Sequence, residues 1–576
     1  MSVTSGDRQA TFAATLVDEW VRCGLRHAVI CPGSRSSPLN LALAARAEVA
    51  LHVRLDERSA CFFAIGLWHA TEAVPLISTT SGTAAAELHA GVIEALHQEV
   101  PLLVCTADRP PRLHKVGAPQ TVEQGNLFGP AVVWTFEPGL ADTTEPSAWR
   151  ALGARAYHEA SGGLGPVHLN LAFDEPLVAE PGPLPPGRPG GAPWRVTTGP
   201  ASGSQTLGPE LERWAAPGVL VAGRGAPDAR TILRVAEHLG WPVLADPSSG
   251  CRLEHANVCA AADSFLADPA LSHALLPSTV LLIGAPWASR NLNDFVELAA
   301  SRGAEVIAVG SGSADRAPAI GELCLGDPKI PVEGLLGAPG SAPKGWVERW
   351  KRAEEAAQRA IDDLLAEPGP LAWSEPAVAR RLFGLLHRDA IVYVSSSLPI
   401  RDLERYGKPR SGAPRVLANR GANGIDGVVS SALGVAAGSP RPVVCVVGDL
   451  AFLHDLSALA TLRSSPEGSC TLVVMDNGGG GIFNFLPQAR SIPHERFEVL
   501  FGTPPAVSVP DAARGLGVPV AQVTSCLGLE DALSAGLAHK GASVVVAKVP
   551  DRQANAELHA RIDAAAAAAA RSALAL

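Results

Sequence analysis

Two polar residues, Asp449 and Asn477, each follow a run of apolar residues that predicts a buried strand. The stretch between them is long enough for a crossover helix and a return strand, so both would lie at the carboxyl edge of one parallel sheet. With the glycines at 478–481 they offer a carboxylate, an amide oxygen and a glycine-rich backbone, which suit Mg²⁺ bound to a diphosphate. Gly448-Asp449 alone would be typical of a turn with an Asx cap. The combination of the two motifs favours a metal and diphosphate site.

This region resembles the thiamine-diphosphate motif of the decarboxylase and synthase superfamily. Further motifs span residues 31–487. They are Cys31-Pro32-Gly33-Ser34-Arg35-Ser36-Ser37-Pro38-Leu39, Asp56-Glu57-Arg58, Thr80-Ser81-Gly82-Thr83-Ala84, Thr106-Ala107-Asp108-Arg109-Pro110, Gly117-Ala118-Pro119-Gln120-Thr121, Asn419-Arg420-Gly421 and Ile482-Phe483-Asn484-Phe485-Leu486-Pro487. In sequence and order, these motifs resemble the 2-succinyl-5-enolpyruvyl-6-hydroxy-3-cyclohexene-1-carboxylate synthase family of menaquinone biosynthesis.

The resemblance implies thiamine diphosphate as the cofactor, with Mg²⁺ or Mn²⁺ bound by Asp449, Asn477 and the carbonyl of Gly479. Ile425 matches an apolar wedge that bends the cofactor, whereas by itself it would indicate only a core residue. Asp476 departs from the family, which commonly has Asn there; we keep Asn477 as the ligand because a second carboxylate would add negative charge beside the diphosphate. The implied cofactor contacts are Glu57, Ser396, Ser397, Ile425, Gly448, Asp449, Leu450, Ala451, Asn477, Gly479 and Ile482.

Glu57 is the candidate for the carboxylic acid that the cofactor's aminopyrimidine needs at its ring nitrogen. It follows the apolar run 50–53 and precedes a segment rich in Ala, Phe and Leu, so burial would favour its protonated form. By itself, such a residue indicates an acid stabilised by the dipole of a helix N-terminus. Position and resemblance together favour the catalytic role. Glu57 and Ile425 are therefore the predicted catalytic residues.

Five arginines, each a few residues beyond the end of a predicted strand, indicate acidic substrates. Ligands of parallel sheets bind at strand ends, and guanidinium groups bind carboxylates bidentately while staying charged. Any one arginine would more commonly form a surface salt bridge. The five are Arg35, Arg109, Arg290, Arg401 and Arg420.

The resemblance implies that the substrates are 2-oxoglutarate and isochorismate, both of them dicarboxylates. Ser289 stands where the family often has a basic residue, just before the position of Arg290. Ile482, Phe483 and Leu486 would form an apolar wall, although plain core packing explains them equally well. The implied substrate contacts are Ser34, Arg35, Arg109, Gln120, Arg290, Ser397, Arg401, Arg420, Phe483 and Leu486.

The implied reaction is that of a thiamine-diphosphate-dependent transferase of the carboligase type. It decarboxylates 2-oxoglutarate and adds the remaining succinyl unit to isochorismate in a 1,4-addition. The alternative among enzymes is another 2-oxoacid decarboxylase or carboligase of the superfamily, although the arginines argue against a small uncharged acceptor. The alternative outside enzymes is a nucleotide-binding or regulatory module, based on Gly223-Arg224-Gly225, which lacks the third glycine of the dinucleotide fingerprint.

Helical patterns alternate with short apolar runs, which predicts an α/β fold of three Rossmann-like, doubly wound parallel-sheet domains. Proline- and glycine-rich stretches at 181–193 and 334–344 mark the ends of the first two units. The predicted domains are a pyrimidine-binding domain at 1–180, a central domain at 195–345 and a diphosphate- and metal-binding domain at 371–560. A charged helix is expected at 347–365. The alanine-rich end at 564–570 is expected to form a surface helix without a functional role.

Composition excludes several classes of partner. The chain has 47 Lys and Arg against 57 Asp and Glu, a net charge of −10, and no long basic run of the kind that binds nucleic acid. Its ten cysteines are scattered singly, which indicates buried reduced thiols. With no signal-peptide core or apolar span in the sequence, we expect a cytoplasmic protein without a membrane partner. Because the family's site forms between subunits, the resemblance implies a homodimer or homotetramer.

Overall fold

The computed structural model describes residues 4–162, 165–196, 207–208, 211–285, 288–311, 318–460 and 468–576. The named strands form three six-stranded sheets in which every strand pairing is parallel. Helices separate most consecutive strands, as the crossover connections of parallel sheets require. The predicted fold class, an α/β protein with three parallel-sheet units, is confirmed.

The first sheet has a fully buried centre, where Leu76–Thr79 and Leu102–Asp108 expose no residue to solvent. Its strands are β1 (His27–Ile30), β2 (Ala50–Val53), β3 (Leu76–Thr79), β4 (Leu102–Asp108), β5 (Trp134–Phe136) and β6 (Pro166–Ala172). They are arranged in the order β2-β1-β3-β4-β6-β5.

The second sheet has the strand order of a Rossmann fold, in which the chain starts at the centre and winds outward on both sides. Its strands are β7 (Gly218–Ala222), β8 (Val243–Ala245), β9 (Val258–Cys259), β10 (Thr279–Ile283), β11 (Glu305–Gly310) and β12 (Glu322–Leu325). They are arranged in the order β12-β11-β10-β7-β8-β9.

The third sheet repeats the strand order of the first sheet, position by position. Its strands are β13 (Ile391–Val394), β14 (Arg415–Leu417), β15 (Val443–Gly448), β16 (Ser469–Asp476), β17 (Val520–Val523) and β18 (Gly541–Lys548). They are arranged in the order β14-β13-β15-β16-β18-β17. The first and third units therefore share a topology, although no sequence repeat is evident between them.

Sequence patterns indicated the central strands of each sheet more clearly than the edges. The sequence pattern predicts no strand at β2, β9, β12, β14 or β17, and the apolar run that corresponds to β5 predicts a strand at 132–134 instead of Trp134–Phe136. Each of these strands has at most four residues and lies at or next to an edge of its sheet. A half-exposed strand of that length carries too few apolar residues for a recognisable pattern.

The helices connect and cover the sheets. In the first unit they are α1 (Ser5–Cys23), α2 (Ser37–Ala44), α3 (Glu57–Thr71), α4 (Thr83–Glu87), α5 (His89–Gln98) and α6 (Pro146–Gly162). In the second they are α7 (Ala229–Leu239), α8 (Ala262–Leu266), α9 (Pro269–Ala274), α10 (Arg290–Ser301), α11 (Lys329–Gly334) and α12 (Trp346–Ala366). In the third they are α13 (Glu375–Leu385), α14 (Leu398–Tyr406), α15 (Val428–Gly438), α16 (Asp449–His454), α17 (Gln488–Ser491), α18 (His494–Phe497), α19 (Val509–Gly515), α20 (Cys526–Ala538) and α21 (Arg552–Leu574). None of these described helices combines the length and apolar character that a membrane crossing needs.

The first and third units share one hydrophobic core, which is closed by a tight crossing of α3 and α15. Glycines make this approach possible. A Cβ at Gly66 would lie 2.0 Å from the carbonyl oxygen of Ser431, and one at Gly434 would lie 2.1 Å from that of Phe63. The crossing fixes α3, whose first residue is Glu57, against the unit that carries Asp449.

Replacing Gly66 with alanine should lower the free energy of unfolding by about 3 kcal/mol, because the added Cβ would overpack this crossing. Gly384→Ala is the matched control, since an added Cβ there meets nothing within 4 Å. A helical glycine in open space should gain up to about 1 kcal/mol from the same change. Urea-induced loss of far-ultraviolet circular dichroism measures both variants. Equal effects in the two would show that the crossing can widen without cost.

The C-terminal helix is not the plain surface helix that its alanine-rich sequence predicted. It packs against α12 and α8, and one face with Ile562, Ala566 and Ala570 is fully buried in the core of the second unit. Small alanines allow this close approach, which large side chains would prevent. Its first turns bury Asn555 and His559 beside the third sheet.

Candidate active site

A cavity of about 160 Å³ lies at the carboxyl edge of the third sheet. Its described walls all come from residues 375–483, and they include the ends of β13, β15 and β16. The predicted residues that line it are Ser397, Ile425, Gly448, Asp449, Leu450, Ala451, Asn477, Gly479, Ile482 and Phe483. The structure therefore brings the predicted metal, diphosphate and wedge residues together in one place.

Asp449 is the first residue of α16 and its side chain is only 1% exposed. Its Oδ1 accepts a hydrogen bond from the backbone N–H of Leu450 at 2.7 Å, whereas its Oδ2 has no hydrogen-bond partner among the described residues. Burial raises the pKa of Asp449 to about 6, and the charge of Asp476 adds to this effect. Backbone N–H groups of Leu450, Gly479 and Gly478 act in the opposite direction. A buried carboxylate with a spare oxygen is suited to bind a cation.

Asn477 presents a second buried oxygen to the same cavity. Its Nδ2 donates to Oε1 of Glu375 at 2.7 Å, and its Oδ1 has no partner in the described part of the chain. Gly479 has φ +133°, and a Cβ there would lie 2.2 Å from the carbonyl oxygen of Gly502, so only glycine fits. These oxygens and this glycine backbone fit a hard cation such as Mg²⁺ with a diphosphate. No cluster of three or more His, Cys, Asp or Glu side chains that could hold a metal occurs among the described residues.

Asp476, the departure from the family, pairs with Lys548 across two neighbouring strands. The distance from Lys548 Nζ to Asp476 Oδ1 is 3.1 Å. This ion pair occupies the carboxylate of Asp476. Asp449 and Asn477 are therefore the polar side chains that follow β15 and β16 and line the cavity.

The remaining predicted contacts of this half-site lie at or near the cavity. Ile425 is 39% exposed on its wall, where an apolar side chain is open to a ligand. Ser396 is buried just outside the wall, where its hydroxyl donates to the carbonyl of Asn419. Leu486 is part-exposed and lies beyond the wall that Ile482 and Phe483 form.

Glu57 is placed at the start of α3, where the first unit meets the third. Asp56 caps this helix by accepting from the N–H of Ser59, so Glu57 is also an acid at a helix N-terminus. Burial raises the pKa of Glu57, and the charges of Asp56 and Glu87 contribute to the increase. Glu57 is not part of the described wall of the cavity that contains Asp449.

Substrate candidates in the first unit cluster at the carboxyl edge of its sheet. Arg35 is buried, and its Nη1 donates to the carbonyl of Phe173 at 3.1 Å. Arg109 donates to the hydroxyl of Ser81, whose backbone carbonyl accepts from Nε2 of Gln120 at 3.2 Å. Burial and the nearby charge of Arg35 lower the pKa of Arg109. Ser34 lies exposed after the end of β1, beside this cluster in sequence.

A second pair of arginines lies beside the cavity of the third unit. Arg401 donates to the carbonyls of Ser396 at 3.0 Å and Ser397 at 2.7 Å. Burial lowers the pKa of Arg401, and the charge of Arg420 contributes to the decrease. Part-buried guanidinium groups beside a cavity are suited to bind a carboxylate.

Arg290 differs from the other four predicted arginines because its side chain is exposed. It is the first residue of α10, its side chain is 85% exposed, and its Nε lies 3.5 Å from Oδ2 of Asp294. Ser289, the departure from the family at this corner, caps the helix by accepting from the N–H of Leu292 at 3.1 Å. The predicted role of Arg290 stays a prediction.

The second unit touches the site through a helix that carries site residues. Arg252 is buried, and its Nη1 donates to the carbonyls of Leu403 at 3.0 Å and Gly407 at 2.6 Å at the end of α14. A cation at a helix C-terminus satisfies carbonyls that have no partner within the helix. Because α14 carries Arg401, Arg252 connects the second unit to the position of a substrate candidate.

Packing explains the first glycine of the weak nucleotide motif. A Cβ at Gly223 would lie 1.9 Å from the carbonyl oxygen of Ala285, so a larger residue would not fit there.

Sequence reasoning missed Glu375, which lines the cavity and is 1% exposed. Burial and the neighbouring charge of Asp402 raise its pKa. Its position after Ser374 is typical of an ordinary first-turn acid, because Ser374 caps α13. No sequence signal distinguished it from such an acid.

Comparisons with known proteins agree with this fold. Three family profiles match the chain: the N-terminal TPP binding domain of thiamine pyrophosphate enzymes at 10–127, the middle domain of thiamine pyrophosphate enzymes at 193–394 and the C-terminal TPP binding domain at 403–547. A solved thiamine-diphosphate-dependent 4-hydroxybenzoylformate decarboxylase from Rhodococcus jostii superposes with a TM-score of 0.72 at 19% identity, covering 94% of this chain and 99% of that one. A putative thiamin diphosphate-dependent enzyme from Mycobacterium smegmatis superposes with a TM-score of 0.67 at 21% identity and the same coverage. These likenesses define the class, that of the thiamine-diphosphate-dependent enzymes.

Curated relatives narrow the class to one family. A 2-succinyl-5-enolpyruvyl-6-hydroxy-3-cyclohexene-1-carboxylate synthase from Thermobifida fusca is 40% identical over 97% of this chain and 99% of its own. The enzyme of the same name from Bacillus velezensis is 38% identical over 87% of this chain and 88% of its own. The chain belongs to the 2-succinyl-5-enolpyruvyl-6-hydroxy-3-cyclohexene-1-carboxylate synthase family.

Proposed function

We propose that this chain decarboxylates 2-oxoglutarate and transfers the succinyl unit to isochorismate, forming 2-succinyl-5-enolpyruvyl-6-hydroxy-3-cyclohexene-1-carboxylate and CO₂ as a step of menaquinone biosynthesis. The observation that carries the proposal is a pair of buried oxygens at one cavity, Asp449 Oδ2 and Asn477 Oδ1, which have no hydrogen-bond partner among the described residues. The particular reaction is inferred from the synthase family to which this chain belongs. When bound, thiamine diphosphate supplies the nucleophile and the electron sink for decarboxylation.

Asp449, Asn477 and the carbonyl of Gly479 would hold Mg²⁺ or Mn²⁺ at the diphosphate. The carbonyl of Gly479 also accepts from the N–H of Gly481 at 2.8 Å, which fixes its direction. The negative charge of Asp449 is largely desolvated, so a divalent cation would relieve the cost of its burial. Ser397, Leu450 and Ala451 enclose this end of the cavity.

Glu57 would hold a proton at the ring nitrogen of the aminopyrimidine. The burial that raises its pKa favours the protonated form needed for that bond. Ile425 would press against the cofactor from the opposite unit, where its side chain is already exposed at the cavity. Because Glu57 lies outside this cavity in its own chain, we propose that it serves the cavity of a second subunit, so that the active enzyme is at least a homodimer.

The two arginine pairs would bind the substrate carboxylates. Arg35 and Arg109 come from the first unit, and Arg401 and Arg420 from the third. Orientation of two dicarboxylates lowers the entropic part of the barrier, and desolvated guanidinium groups bind them tightly. Gln120 and Ser34 would add polar contacts, and Phe483 an apolar wall. All ten cysteines are free thiols, which supports action in the reducing cytoplasm.

Omission experiments with purified protein test the proposal. Loss of isochorismate is followed in the presence of thiamine diphosphate, Mg²⁺ and 2-oxoglutarate, and the measurement is repeated with each component omitted in turn. The product is identified by its mass. We expect consumption that requires every component and yields the succinyl adduct. CO₂ release that is indifferent to isochorismate would identify a simple 2-oxoacid decarboxylase instead.

A further inference from the structure

Glu375 joins the proposed metal site to the C-terminal helix. Its Oε1 accepts two hydrogen bonds, from Nδ2 of Asn477 at 2.7 Å and from Nδ2 of Asn555 at 2.9 Å. Glu375 and Asn555 are both buried, so neither bond competes with bulk water. The contact connects residues that lie 102 and 180 positions apart in the chain.

The side chain of Asn477 has two different ends, and only one of them can bind a cation. Its carbonyl oxygen is an acceptor, whereas its NH₂ group is a donor that would repel a metal ion. Oε1 of Glu375 faces the NH₂ group, so Oδ1 must point away from Glu375. Oδ1 is buried there without a partner among the described residues, and Asn477 shares the cavity with the spare oxygen of Asp449.

We propose that Glu375 is a positioning residue, which orients the amide of Asn477 so that Oδ1 faces the cation. This inference rests on the metal site of the proposed function. If the amide were reversed, Oδ1 would face the carboxylate of Glu375 and the NH₂ group would face the metal. Both contacts would be repulsive, so a single acceptor selects one of two otherwise similar orientations.

The C-terminal helix holds this arrangement from the other side. Nε2 of His559 lies 2.7 Å from Oδ1 of Asp402, and its Nδ1 lies 2.8 Å from the carbonyl oxygen of Asn555. Both partners are acceptors, so the ring satisfies them by donating from both nitrogens. This contact fastens α21 to α14 one turn beyond Asn555. The amide of Asn555 is thereby kept against Glu375.

Three variants of the full-length protein separate orientation from charge. Glu375→Gln keeps an oxygen that accepts from Asn477 and Asn555, and its new NH₂ group can donate to the neighbouring carboxylate of Asp402, whose Oδ2 has no other hydrogen-bond partner among the described residues. Glu375→Ala removes the acceptor. Glu375→Met removes it while nearly keeping the volume, and replaces the alanine variant if circular dichroism shows that the latter is unfolded.

Mn²⁺ binding is the readout, measured without turnover. Each variant is titrated with Mn²⁺ at saturating thiamine diphosphate, and free Mn²⁺ is followed by electron paramagnetic resonance. We expect Glu375→Gln to stay within about threefold of the wild-type Kd, and the variants without an acceptor to bind roughly 10- to 100-fold more weakly, as for other residues that orient metal ligands.

The outcomes are distinct. Wild-type Kd values in Glu375→Ala and Glu375→Met would overturn the positioning role. Equal weakening in the glutamine variant would also overturn it, because charge and not orientation would then be the cause. Failure of the wild-type protein to bind Mn²⁺ with thiamine diphosphate would instead contradict the metal site of the proposed function.

Discussion

Replacing Asp449 with alanine is expected to abolish metal-dependent binding of thiamine diphosphate and to lower turnover by about 10³-fold or more. Asp449 is the carboxylate with a spare buried oxygen at the cavity, and the partners that would remain, Asn477 and Gly479, are neutral. A metal ion on a diphosphate supplies several kcal/mol of charge stabilisation. Losing it corresponds to about three orders of magnitude in rate.

Asp476→Asn is the matched control for that experiment. Asp476 precedes Asn477 and is also a carboxylate, but it lies at the end of β16 and pairs with Lys548, the exposed last residue of β18. We expect its binding and turnover to stay within about threefold of wild type, because an ion pair with one exposed partner contributes little. Isothermal titration of thiamine diphosphate with and without Mg²⁺ compares the two variants. Tight, Mg²⁺-dependent binding in Asp449→Ala would contradict the metal assignment.

Replacing Glu57 with glutamine is expected to leave the binding of Mg²⁺ and thiamine diphosphate largely intact while turnover falls by about 10²- to 10⁴-fold, the usual contribution of a positioned acid or base. Glutamine keeps the shape of the side chain and its place at the start of α3. It cannot, however, exchange a proton with the ring nitrogen of the cofactor. Binding and catalysis should therefore separate in this variant, whereas Asp449→Ala loses both.

Glu87→Gln is the control for Glu57→Gln, because Glu87 is an exposed neighbour whose charge acts on Glu57. It should keep nearly full activity, since the carboxylic acid at 57 is retained. Steady-state turnover and cofactor titration on the same preparations measure both. Full activity in Glu57→Gln would disprove the proton-holding role.

The metal motif was predictable from sequence because its parts are local and strongly patterned. The apolar runs before Asp449 and Asn477 are buried central strands, and parallel strands present their carboxyl ends at one edge. The glycines that follow have a steric cause that is visible in the structure, as at Gly479. The short edge strands β14 and β17 have too few apolar residues to form a recognisable pattern in the sequence.

The contacts around Glu375 could not be predicted, because they join distant parts of the chain. Glu375 follows a capping serine and looks like any first-turn acid, and Asn555 lies in a helix rich in alanine. The packing of α21 against α12 and its His559–Asp402 contact with α14 place the amide of Asn555 against Glu375, which lines the cavity. The arginines were likewise only partly predictable. Their positions after strands can be read from the sequence, but the exposure of the Arg290 side chain cannot.

Complementation between two inactive variants tests the central claim most directly, that Glu57 of one subunit and Asp449 of another form one synthase site. Chains with Glu57→Gln and Asp449→Ala are co-expressed with different tags, and doubly tagged dimers are assayed for conversion of isochorismate to the succinyl adduct. Each such dimer would have one intact and one doubly altered site, so we expect about half of the wild-type turnover. Activity no higher than that of the two parent variants would contradict a site shared between subunits.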